Sequence, residues 1–225
     1  MKIVAKKTYD RTVLDVNIEL EEHKIYALIG ANGSGKSTLL KSLSSIVTVD
    51  GDSNIEIPFK KNDIYYMPQM PYSFDLSVYN NIKLGIPTNY SVGQKIYCKY
   101  RIDTMLKDID LFRLKKANAS TLSGGEKQKM ALVRSLVISH DLLLLDEPTS
   151  AMDINATLQA EELIKKYKEE FNGTIILATH SIKQAQRLAD TVLFLYNGEV
   201  KEIADAQTFI DSPQSNELKD FLQKV

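Results

Sequence analysis

The chain has one cysteine, Cys98, and no tryptophan. A single thiol excludes an internal disulfide framework and fits a reducing compartment. The thiol is expected as a small buried side chain. No segment reaches the roughly 18 apolar residues that a membrane-spanning helix needs. The opening Met1-Lys2-Ile3-Val4-Ala5-Lys6-Lys7-Thr8 breaks into charge before a signal-peptide core could form. Neither sign of charge is in excess: 28 basic and 29 acidic residues leave a formal net charge of −1. There is no basic arm for nucleic acid and no acidic excess for disorder. Internal repeats and low-complexity tracts are also missing. The expectation is a chain soluble on its own that reaches a membrane only through a partner.

What is present is 44% hydrophobic residues in a chain of 225. A chain of that length buries about 70–75% of the surface its unfolded form exposes. One domain with an inserted lobe is the natural organisation. Leu14, Val16, Ile18 and Leu20 alternate with polar residues, as in a strand with one wet face. Residues 25–29 and 142–145 are continuous apolar runs, which read as strands buried on both faces. Residues 36–46 have helical character, and 54–57 and 63–67 are short strand candidates. From about 89 to 121 the composition turns to Lys, Tyr, Asp and Leu without proline, read, together with the start of the helix that follows, as a helical lobe inserted between a core of 1–88 and 122–225. Ala156, Ala160, Leu163, Ile164, Tyr167 and Phe171 recur at helical spacing. A strand at 174–178, a helix at 182–189 and a hairpin turning on Asn197-Gly198 follow. The tail from 205 reads as short helices split by Pro213. The predicted fold is α/β with a mostly parallel sheet covered on both faces.

Two motifs carry chemistry. Gly30-Ala31-Asn32-Gly33-Ser34-Gly35-Lys36-Ser37 matches the phosphate-binding P-loop, with the required strand before it and helix after it. Its glycines let backbone N–H groups turn toward phosphate oxygens, and the helix adds its positive dipole end. Lys36 would reach the β- and γ-phosphates and Ser37 would ligate Mg²⁺. The candidate nucleotide contacts are Asn32, Gly33, Ser34, Gly35, Lys36, Ser37 and Thr38. Residues 142–145 end in Asp146-Glu147, where Asp146 would hold Mg²⁺ and Glu147 would polarise an attacking water as general base.

Leu122-Ser123-Gly124-Gly125-Glu126, placed between these two motifs, separates the chain from kinases, GTPases and motors. Over nearly its full length the chain resembles the nucleotide-binding subunit of an ABC (ATP-binding cassette) transporter. The resemblance implies a P-loop NTPase core with an N-terminal antiparallel β subdomain and an inserted helical subdomain. Tyr9 sits where the family stacks an aromatic ring on adenine. Gln69 in Tyr66-Met67-Pro68-Gln69 matches the glutamine that contacts Mg²⁺ and the attacking water. Ser150-Ala151-Met152-Asp153 matches the D-loop, with Met152 in place of the usual leucine. His180 matches the switch histidine at the γ-phosphate. His23 and His140 match no motif and read as surface or strand-end residues. Glu126-Lys127-Gln128-Lys129 departs from the family in carrying lysine where arginine is commoner, which keeps charge and loses a bidentate fork.

In the family Ser123, Gly124 and Gly125 would act in trans, closing the γ-phosphate side of ATP held by a facing subunit. The implied partners are therefore a second ATPase subunit in a head-to-tail dimer, separate permease subunits and an extracytoplasmic binding protein. The implied site is cytoplasmic, on the inner face of the membrane. Aromatic residues between Pro71 and Ile82 could line the groove that receives the permease. The segment from Thr179 to Asp190 most resembles tungstate and molybdate importers. The tail resembles the same group and also amino-acid and phosphate importers, which stand as alternatives. A soluble cassette ATPase outside transport is the remaining one.

Overall fold

A computed structural model describes residues 1–9, 12–50 and 54–224. In chain order the strands and helices are β1 (Lys2–Tyr9), β2 (Thr12–Glu19), β3 (Ile25–Ile29), α1 (Lys36–Leu43), β4 (Asn54–Glu56), β5 (Ile64–Met67), α2 (Val78–Lys83), α3 (Val92–Asp108), α4 (Gly124–Leu136), β6 (Leu142–Asp146), α5 (Ile154–Phe171), β7 (Thr174–Ala178), α6 (Ile182–Leu188), β8 (Thr191–Tyr196), β9 (Glu199–Asp205) and α7 (Asn216–Leu222). They pack as two units: residues 1–66, 140–147 and 172–225, and residues 67–139 and 148–171.

The first unit is built on a six-stranded sheet of order β5-β6-β7-β3-β8-β9. β6, β7, β3 and β8 run parallel, and β9 returns antiparallel along β8. β3, β6 and β7 are buried at every residue, which is why their sequences are apolar apart from Asp146 at the end of β6 and Thr174 at the start of β7. Asn197 and Gly198 both have positive φ, 47° and 84°, the backbone of a two-residue hairpin turn. A separate antiparallel sheet of order β2-β1-β4 pairs Ile3 with Ile18 and Ala5 with Val16, all four buried. The family resemblance implies this N-terminal antiparallel sheet, but no residue pattern marks β1 itself. Its lysines hide the pattern: Ile3 and Ala5 point inward while Lys2 and Lys6 stay exposed, and pairing with β2 and β4 supplies the stability. Residues 206–212 form turns rather than a first tail helix, so only α7 follows Pro213.

The second unit is helical. Residues 89–121 and the start of α4, read as a lobe, fall inside it, and it also takes in 67–88, the rest of α4 and α5. α2 had no sequence signal beyond Ser77, whose side chain caps it at Asn80 N. Ala156, Ala160, Leu163, Ile164 and Tyr167 are the buried face of α5, as their spacing predicts, with Phe171 half-buried. Arg101 of α3 fastens the unit. Its Nε donates to Val137 O at 3.1 Å and its Nη2 to Leu136 O at 2.7 Å, satisfying carbonyls at the end of α4. Its Nη1 pairs with Glu170, and the guanidinium lies 4.6 Å from the Phe171 ring centroid. Cys98 is buried, as expected.

Candidate nucleotide-binding site

Three stretches emerge side by side from the carboxyl ends of neighbouring parallel strands. The loop 30–35 follows β3, Glu147 follows β6, and His180 lies two residues beyond β7. The strands run in the order β6-β7-β3, with Asp146 paired to Ala178 and Ala178 to Leu28. In open α/β sheets ligands bind in that position, outside the carboxyl ends of the strands.

Backbone conformation shapes the loop. A Cβ on Gly30 would meet Leu195 O at 2.1 Å, so only glycine lets β3 turn there. Gly33 and Gly35 have φ of 80° and 108°, in the left-handed region that favours glycine. Gly198 N donates to Ser34 O at 2.9 Å, so the β8–β9 hairpin turn buttresses the loop. Gly198 in turn abuts β2: its O accepts from Asp15 N at 2.8 Å, and a Cβ there would lie 1.8 Å from Val13 O. α1 begins at Lys36 with no side-chain cap, so first-turn N–H groups stay directed at the loop. Lys36 is buried and its Nζ donates to Gly30 O at 2.8 Å and Ala31 O at 3.1 Å. Burial holds its pKa below the usual lysine value, opposed by the carboxylates of Glu147 and Asp146.

Asp146 and Glu147 are both buried. Asp146 Oδ2 accepts from the Tyr66 hydroxyl at 3.0 Å. Burial, then the Asp146 charge, push the Tyr66 phenol well above its ordinary pKa, so it remains a donor. Glu147 has φ of 49°, a left-handed conformation held by its N–H, which donates to Ala178 O at 3.0 Å. Its Oε2 lies 2.8 Å from His180 Nδ1. The carboxylate must accept, so Nδ1 carries the proton and the imidazole Nε2 is left available on an exposed ring.

In the sequence Tyr66 is marked only as a neighbour of Gln69. Strand alternation puts it on one face of β5 with Ile64, but its meeting with the end of β6 is a tertiary event. Tyr66→Phe leaves a buried carboxylate oxygen without its donor and should lower unfolding free energy by about 1–3 kcal/mol, read from urea denaturation.

Gln69, Ser123, Lys129 and Asp153 lie in the helical unit, and Tyr9, His23 and His140 in the first unit. Gln69 is exposed, just after β5. Ser123 is the N-cap of α4 in a reciprocal box: its Oγ accepts from Glu126 N at 3.3 Å, and Glu126 Oε2 accepts from Ser123 N at 2.8 Å. Those bonds from Ser123 hold the Glu126 carboxyl below its ordinary range, so the box stays charged at neutral pH and is lost as pH falls through that depressed value. Ser123 and Gly124 are exposed. Lys129 Nζ donates to Ile109 O at 2.8 Å at the end of α3, so the lysine serves there as a point charge. Asp153 Oδ1 accepts from Ala156 N at 2.8 Å and caps α5. Tyr9 ends β1, and its side chain lies outside the described residues. His140 precedes β6 and is buried, with its ring 4.9 Å from that of Tyr65. His23 is exposed and its Nδ1 lies 2.6 Å from Asn172 O.

The residues fit a triphosphate and a hard cation. Ser34 Oγ and Asp146 Oδ1 are buried without a hydrogen-bond partner among the described residues. Such oxygens fit a phosphate and a metal-bound water. No cluster of three or more His, Cys, Asp or Glu among the described residues could cage a metal. Mg²⁺ suits that donor set, because it binds through few protein ligands plus waters and phosphate oxygens.

The described family "ABC transporter" matches residues 13–150, a span that holds the P-loop, Gln69, Ser123 and Glu147. The phosphate import ATP-binding protein PstB 3 of Streptococcus pneumoniae is 33% identical over 229 residues, covering 92% of this chain and 90% of the relative. PstB of Idiomarina loihiensis is 31% identical, covering 95% and 85%. Among solved structures, an ATP-binding subunit of an ABC transporter superposes with a TM-score of 0.83 at 24% identity, over 99% of this chain and 98% of that one. CbiO1 of Clostridium perfringens, part of the ABC transporter complex cbiONQ, gives 0.77 at 25% identity over 94% and 90%. The chain therefore belongs to the ABC transporter family, and it is an ATP-binding ATPase within it.

Proposed function

We propose that the chain hydrolyses ATP to drive import of an oxyanion, with phosphate the favoured cargo, through separate permease subunits. The observation that carries the catalytic half is the pair His180 Nδ1 and Glu147 Oε2 at 2.8 Å, beside the Lys36 loop at the ends of three adjacent strands. Lys36 and the loop amides of residues 32–38 bind the triphosphate. Ser37, Asp146 and Gln69 hold Mg²⁺, which when bound neutralises charge on the phosphate oxygens. Glu147 takes the proton of the attacking water, and His180 Nε2 contacts the γ-phosphate. Tyr9 stacks on adenine. Ser123, Gly124 and Gly125 serve the ATP of a facing subunit in a head-to-tail dimer, where the α4 N-terminus supplies amide donors.

For the transport half, no described helix is long and apolar enough to cross a membrane. Met70 (87% exposed), Tyr72 (69%), Phe74 and Leu76 form an exposed apolar stretch next to Gln69, suited to a permease helix. On this reading the subunit works at the inner face of the membrane and an extracytoplasmic binding protein delivers cargo; the exposed stretch supports the permease contact. The names of the relatives favour phosphate over tungstate or molybdate, the cargo implied by residues 179–190. Deletion of the gene should abolish uptake of radiolabelled phosphate and spare molybdate. The wild-type chain should restore uptake and Glu147→Gln should not. Loss of molybdate uptake alone would reverse the cargo assignment, and unchanged uptake of every anion would remove the import reading.

A further inference from the structure

α4 does more than present Ser123. Its first turn lies directly on the segment that follows Glu147. A Cβ on Gly125 would approach Ala151 O at 2.7 Å, and one on Gly124 would touch Ala151 Cβ at 3.9 Å. One turn further along the same face is Gln128, 1% exposed. Its Oε1 accepts from Ala151 N at 2.7 Å, and its Nε2 donates to Ser150 Oγ at 3.0 Å. The amide thus uses an acceptor and a donor on consecutive residues. Glutamate lacks the donor and lysine lacks the acceptor, so neither reproduces the pair.

We propose that Gln128 is a positioning residue that locks the Ser123 turn to residues 150–151, so that the two move as one body and couple the two ATP sites of the dimer. The coupling follows from the chain itself. Ser150 lies three residues beyond Glu147. A displacement of the Ser123 turn by the facing subunit's nucleotide is carried through the buried Gln128 amide to the segment attached to this subunit's own general base. The inference rests on the reading of Ser123 as acting in trans, and it goes beyond that reading in assigning the link to one side chain.

The test uses the purified full-length chain under conditions where ATP dimerises it. Gln128→Leu removes both hydrogen bonds. Ser150→Ala, at an exposed position, removes one with little risk to folding. Gln128→Leu should lower kcat roughly tenfold to a hundredfold, the scale of a small misplacement at a reacting centre. ATP affinity of the monomer should be unchanged, and the Hill coefficient for ATP should fall from above one to one. Ser150→Ala should move kcat and Hill coefficient in the same direction by less. A merely structural role would lower the melting temperature and leave the Hill coefficient of the folded fraction alone. That result, a wild-type Hill coefficient of one, or unchanged kcat in both variants would overturn the proposal. Ser123→Arg separates the two levels. If it abolishes dimerisation and turnover while Gln128→Leu does nothing, the coupling link fails and the trans site stands. If Ser123→Arg is also silent, the trans reading itself fails.

Discussion

Glu147→Gln should bind ATP as the wild type does and hydrolyse it about 10²–10⁴-fold more slowly, the range for loss of a general base. That corresponds to about 3–5 kcal/mol of transition-state stabilisation. The substitution is clean because of the local geometry. Glu147 is buried, its backbone has φ of 49°, and its Oε2 lies 2.8 Å from His180 Nδ1. Glutamine has the same backbone demand and keeps a carbonyl oxygen to accept from the imidazole. What it lacks is basicity. With binding intact and hydrolysis slowed, an ATP-bound dimer should accumulate in size-exclusion chromatography. A variant that stays monomeric with ATP and turns over at the wild-type rate would sink both the base assignment and the shared-site scheme.

Lys36→Met should lose ATP while keeping the fold. Lys36 donates to Gly30 O and Ala31 O and is buried, with burial pressing its pKa down. A methionine of similar length forfeits those two bonds to the loop but also removes the desolvation of a cation, so the apo protein should melt near the wild-type temperature. With nucleotide the two proteins diverge. Loss of charge-assisted bonds to phosphate should cost about 3–4 kcal/mol, roughly 10²–10³-fold in affinity. ATP at 100 times its Kd stabilises a binder by about 2.7 kcal/mol, and that thermal shift should vanish in the variant. An apo protein that melts far below wild type would instead assign Lys36 chiefly to holding the loop.

Residue patterns carried much of this. The strands at 25–29, 142–145 and 174–178 were legible because burial on both faces selects apolar residues along nearly their whole length. The α5 face was legible from its 3.6-residue spacing, and the hairpin from Asn197-Gly198, where two positive φ values are needed. β1 was not, because its lysines disguise an alternation that becomes stable only against β2. The tail before Pro213 has helix-tolerant residues but folds as turns, with Ala206 N bonded to Asp190 O and Phe209 buried. Local propensity there yields to tertiary packing.

The site divides in the same way. The sequence by itself determined the motifs: a glycine-rich loop with Lys36, two acids at a strand end, His180 after the next strand, and a Ser-Gly-Gly turn opening a helix. Those motifs are local because backbone geometry over a few residues makes them work. Only the tertiary structure decided which groups meet. Sheet order set Glu147 beside His180 and Tyr66 beside Asp146, although 33 and 80 residues separate them in the chain. Packing of α4 on residues 150–151 gave Gln128 its two partners. Such pairings depend on strand order and helix packing, which arise from burying apolar faces across the whole chain, and no short stretch of residues encodes them.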